Sequence, residues 1–147
     1  MRSILICSFL FLQFFLGCTN DDKKADETTI PASENDVDAA RNFITAVLRA
    51  DFDKAKTFMV NDSLNNQYLD ATERSFKEKF ATEERRNYRE ASINIHSVRP
   101  VGDTVSFIDY SNSFKKEREH LKVLKKDGQW LVDLKYTFSP TIKDSLP

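Results

Sequence analysis

At Tyr88 the spacing of apolar residues changes from about 3.6 to about 2, so the chain must build helices first and strands second. Before the switch, the capping residues between Ser33 and Asp36 precede an apolar series at Val37, Ala40, Ile44, Val47 and Leu48, with Phe43 beside it. This is one face of a first helix. A second, short helix over about residues 53–59 carries Ala55, Phe58 and Met59 behind Phe52. Asn61 or Asp62 caps a longer third helix whose stripe runs Leu64, Tyr68, Thr72, Phe76 and Phe80, with Leu69 alongside.

After the switch the pattern predicts four strands. Ala91, Ile93 and Ile95 alternate with polar residues in the first, which ends toward Arg99-Pro100. Val101-Gly102-Asp103 turns the chain into a second strand over about residues 104–114. Val105, Phe107 and Asp109 share one of its faces, and Ile108 and Tyr110 the other. The third covers about residues 118–125, with charges around Leu121, Val123 and Leu124. The fourth, over residues 129–138, places Trp130, Val132, Leu134, Tyr136 and Phe138 on one face. Asp127-Gly128 joins these two as a hairpin turn, because glycine takes a positive φ at the least cost. The expected fold class is α+β: N-terminal helices packed on a curved antiparallel sheet of about four strands.

The N-terminus carries a different message. Arg2 precedes an apolar run from Ile4 to Leu16, which has the layout of a secretory signal and is shorter than the roughly 20 residues that span a bilayer. It closes on Phe15-Leu16-Gly17-Cys18, which resembles a bacterial lipobox. That resemblance implies removal of residues 1–17 and acylation of Cys18, whose several chains would give stable anchoring where one would not. The polar stretch over residues 18–32 reads as a flexible tether, residues 33–140 as the domain and 141–147 as a tail. Loss of Arg2 leaves 21 basic against 23 acidic residues, a net charge of −2, and no nucleic-acid partner is expected. With Cys7 lost and Cys18 acylated, no disulfide remains, so stability must come from packing.

Asp38-Ala39-Ala40-Arg41-Asn42-Phe43, Ala50-Asp51-Phe52-Asp53-Lys54-Ala55 and a meander ending Leu124-Lys125-Lys126-Asp127-Gly128-Gln129-Trp130-Leu131-Val132-Asp133 resemble the small NTF2-like, cystatin-like lipoproteins of the DUF4878 type. The likeness covers about residues 36–138. It implies a sheet wrapped around the helices, sometimes with a cone-shaped pocket, and brings no catalytic residues. Thr19 stands where an aspartate retains some lipoproteins at the inner membrane, and Asn20-Asp21-Asp22 resembles acidic export signals of Bacteroidota lipoproteins. An outer-membrane address follows, facing the periplasm or the cell surface, although a solvating tether explains the same charges.

Little in the sequence carries chemistry. His96 and His120 fall on separate strands without metal-ligand spacing, the three glycines cannot form a phosphate cradle, and no cofactor or metal is expected. Lys115-Lys116-Glu117-Arg118-Glu119 reads as a solvated strand edge, or else as an anionic-ligand site. Asp109 is the one catalytic candidate. If its face is the concave one, its carboxylate enters an apolar pocket formed with Tyr68, Phe76, Phe107 and Tyr136, as in ketosteroid-isomerase-like relatives of the resembled fold. Otherwise it lies at the sheet margin, solvated or paired with a lysine. The leading expectation is a non-enzymatic envelope protein that binds a small apolar ligand or another envelope protein. An acid/base enzyme and a structural accessory of a surface complex are the alternatives. Ser63, Thr104 and Ser145 follow aspartates and precede apolar residues, similar to the O-glycosylation sequon of Bacteroidota.

Overall fold

The computed structural model describes residues 32–138; Cys18, Ser145, the signal and the tail lie outside them. The elements run α1 (Asp36–Leu48), α2 (Phe52–Thr57), α3 (Ser63–Lys79), α4 (Thr82–Arg89), β1 (Ile93–Val101), β2 (Val105–Asn112), β3 (Glu119–Lys126), β4 (Gln129–Asp133) and α5 (Leu134–Phe138). The strands form one antiparallel sheet in the order β1-β2-β3-β4, so the α+β architecture is as expected. None of the described helices is long and apolar enough to cross a membrane.

Side-chain caps set the helix starts. Asn35 accepts from the Asp38 N–H at 2.9 Å, Asp51 from Lys54 at 3.1 Å, and Asp62 from Leu64 and Asn65 at 3.1 and 2.9 Å. The helix α4 is an addition to the expected three. Its only buried residue is Tyr88, too little for a periodic signal, and it is fixed at its start by Glu84, which accepts from the Ala81 N–H at 2.8 Å.

α1 packs across all four strands and buries Ala39, Ala40, Phe43, Ile44, Ala46 and Leu48. Ile108, Leu121, Val123 and Val132 oppose it from the sheet and are essentially inaccessible to solvent. The strand pairing fixes which side of β2 faces the helices: Ser106, Ile108, Tyr110 and Asn112 turn inward, and Ser106 donates to the Asp36 carboxylate of α1. A bulge at His96 resets β1, so that Ile93 and Ile95 pair with the inward row while Ser97 and Arg99 pair with the outward one. Asp127 and Gly128 have φ of 51° and 81°, both left-handed as the tight hairpin turn requires.

The last expected strand is divided. β4 stops at Asp133 and the chain turns into α5, so Leu134, Tyr136 and Phe138 do not continue a strand face. β3 is longer than its partner, and α5 covers the unpaired part of its edge, where the Thr137 hydroxyl donates to the His120 carbonyl at 2.8 Å. Residues 58–60 occupy the other edge of β4: Val60 N–H donates to Val132 O, and Val132 N–H to Phe58 O, both at 2.9 Å. Trp130 lies on the helix-facing side but only half-buried, with the Lys125 ammonium 5.8 Å from its ring centre.

Candidate functional site

A half-open cavity of about 470 Å³ lies between α1, α3, α5 and the β2–β3 end of the sheet. Its walls are mainly apolar: Phe43, Ile44, Val47 and Leu48 from α1, Leu69 and Phe76 from α3, Leu121 and Leu134 from beyond. Phe80, Tyr88 and Phe114 pack against one another with ring centres 5.4 to 5.5 Å apart, and Tyr68 stacks on Phe138 at 5.0 Å. Ridge spacing on α3 explains why the cavity exists at all. Tyr68, Thr72 and Phe76 form the stripe that faces it, and the small Ala71 and Ser75 beside them leave the volume unfilled.

Polar groups gather at one part of the lining. Tyr110 donates its O–H to Glu119, whose other oxygen accepts from the Lys115 ammonium at 3.1 Å. Asn112, buried at the end of β2, accepts from the backbone N–H groups of Phe114 and Lys115 at 3.1 and 2.9 Å and so shapes the loop into β3. Burial, reinforced by the Glu119 charge, pushes the Tyr88 hydroxyl up to about 12 and Tyr110 well above its ordinary value. Both phenols therefore keep their protons at neutral pH.

The expected pocket residues divide between the two sides of the sheet. Tyr68 and Phe76 line the cavity. Phe107, Asp109 and Tyr136 do not: Phe107 and Asp109 sit on the outward row of β2, where Tyr136 reaches around the β3 edge to pack on Phe107 at 4.8 Å. The parity condition attached to Asp109 is thus unmet. Its partner is a histidine and a serine, not a lysine. His120 Nδ1 lies 2.5 Å from one oxygen and Ser97 Oγ donates to the other at 2.7 Å, in a row across three strands. Burial would raise the Asp109 carboxyl, but His120 and Ser97, helped by Arg99, outweigh it and hold the group below its usual range. A carboxylate held as an anion on the outward face is a poor general acid.

The basic run is also placed differently. Lys115 to Arg118 form the β2–β3 loop, not a strand edge, and Lys115, Arg118 and Glu119 border the cavity. His96 stands exposed on the β1 bulge, its Nε2 2.8 Å from Ser111 Oγ. Ser63 is the exposed first residue of α3, and Thr104 is exposed in the β1–β2 turn. Among the described residues no group of three or more His, Cys, Asp or Glu is arranged to hold a metal.

Glu119, Tyr110 and Tyr88 belong to the polar part of the site with Asn112, Lys115 and Arg118, and no spacing rule in the sequence singles those three out. The one available signal was that Tyr110 shares the inward row with Ile108, once the buried face of β2 is known. Comparison with family models, with curated proteins and with solved structures finds no match at any of the three levels.

Proposed function

We propose that this chain is a lipid-anchored envelope protein of the NTF2-like type that binds a small, largely apolar ligand in the cavity between its helices and sheet. The observation that carries the reading is the cavity itself. Its volume of about 470 Å³ falls within the roughly 300–1,000 Å³ typical of small-molecule sites, with apolar walls and a few grouped polar side chains. Acylated Cys18 supplies the attachment, and the tether keeps the domain clear of the outer membrane. The two oxygens of Glu119 accept from Tyr110 and Lys115, which ties β2, β3 and the loop between them together at the cavity's polar part.

Native mass spectrometry of protein taken from its own host tests the reading. A bound small molecule should appear as added mass that is lost on denaturation. Ser75→Trp, which fills the cavity from a half-buried position on α3, should abolish it. A bare polypeptide in both cases would argue for the structural-accessory reading.

A further inference from the structure

Resting on the cavity as a ligand site, we infer that its ligand is an amphiphile with an apolar body and a single anionic, acceptor-only head group, a long-chain carboxylate being the simplest example. The argument is an inventory of what the polar lining has left to offer. Its strongest acceptors each already hold a donor: one Glu119 oxygen the Tyr110 O–H, the other Lys115, and Asn112 Oδ1 two backbone N–H groups. Several of its donors do not hold an acceptor: the Tyr88 hydroxyl and the Asn112 amide NH₂ make no hydrogen bond among the described residues, and the exposed Arg118 guanidinium makes no ion pair there. Because Asn112 Oδ1 is held by two backbone donors, the orientation of its amide is settled and the NH₂ is the side left over.

Charge leads to the same class. Lys115 and Arg118 border the polar part of the cavity against the one carboxylate of Glu119, which leaves one positive charge uncompensated. A monoanionic head group restores neutrality and satisfies the free donors, whereas a cationic one would face two cations and an occupied carboxylate. Away from the head group the walls offer Leu69, Phe76 and Val47, and the Thr72 and Thr137 hydroxyls there donate to backbone carbonyls, which suits an alkyl body.

The test uses the full chain with Cys18→Ala, so that no acyl group of its own competes, titrated calorimetrically with laurate, dodecanol and dodecyltrimethylammonium below micelle formation. Laurate should bind about tenfold more tightly than dodecanol, the ratio one charge-assisted hydrogen bond supplies, and the cation most weakly. Arg118→Gln, at an exposed position where folding is not at stake, should bring laurate down to the affinity of dodecanol and leave the alcohol unchanged. Equal affinity for all three probes, or undiminished laurate binding by Arg118→Gln, would overturn the head-group inference while leaving the cavity as a ligand site. Failure of all three to bind a folded protein would overturn both.

Discussion

Asn65 has no exposed surface and joins two elements, so replacing it isolates the contribution of one buried polar link. From the first turn of α3 its Oδ1 accepts the Leu134 N–H at 2.7 Å, and its Nδ2 donates to Asp62 at 3.0 Å. Asn65→Ala strands the Leu134 N–H without a partner, a penalty of about 1–3 kcal/mol. The better helix propensity of alanine returns about 0.7 kcal/mol, so a net loss of about 0.3–2.3 kcal/mol is expected. At about 4 °C per kcal/mol for a domain of this size, the Tm should fall by about 1–9 °C in a circular-dichroism melt. Asn65→Leu keeps the branched shape but is bulkier and cannot accept the hydrogen bond, so in this enclosed position it should lose at least as much. Gln67→Ala, an exposed change on the same helix, should stay within about 0.5 kcal/mol of the parent. An Asn65→Leu protein as stable as the parent would refute the reasoning, since it would mean that the Leu134 N–H is satisfied without Asn65.

Three further outcomes are expected. Asp62 is held down to about 2 from 3.8, first by the Asn65 backbone N–H and then by Lys135, so its contribution is complete above about pH 4 and lost as pH falls toward 2. The melting difference between the parent and Asp62→Asn should therefore shrink over that interval, and a constant difference would mean the native carboxyl is not depressed. Leu121→Ala, at a fully enclosed position, should cost about 2–5 kcal/mol, and Trp130→Ala less than the roughly 3–5 kcal/mol of a fully buried aromatic because it is half-buried; urea denaturation ranks the two. Cys18→Ala should release the domain from the membrane pellet with its melting curve unchanged, and retention in the pellet would count against the lipid anchor.

How far the fold could be read in advance depended on whether a pattern had one solution. Asp127-Gly128 and the Asp62 cap were legible because only a few conformations suit those residues there. The alternation at Leu134, Tyr136 and Phe138 was not, because it has two. In a strand the three share a face. In a single helical turn Leu134 and Phe138, four residues apart, share one side and Tyr136 takes the other, as observed at the cavity and against Phe107. The face of β2 was hidden for a related reason: both Phe107 and Ile108 are buried, so no polar row marks the outside, and the side on which Asp109 falls is decided by pairing with β1 and β3. The candidate site inherited that ambiguity. Tyr68 and Phe76 were found because helical spacing is unambiguous over α3, and Glu119 was missed because it looked like one more charge in a solvated strand edge.

The brevity of α5 has a thermodynamic corollary. Helices shorter than about 12–15 residues do not persist on their own, so this five-residue turn depends on its external ties, among the described residues those to Asn65, His120, Phe107, Tyr68 and, through Lys135, Asp62. Its opening free energy is then the sum of those few contacts and lies below that of the sheet, and its amides should exchange with deuterium before those of β2 and β3. Since Leu134 and Phe138 line the cavity, each such opening also enlarges the cavity and bares the edge of β3. An occupant touching those two side chains would have to be released through, or would have to slow, the same fluctuation, so exchange at residues 134–138 reports occupancy without a label on the ligand.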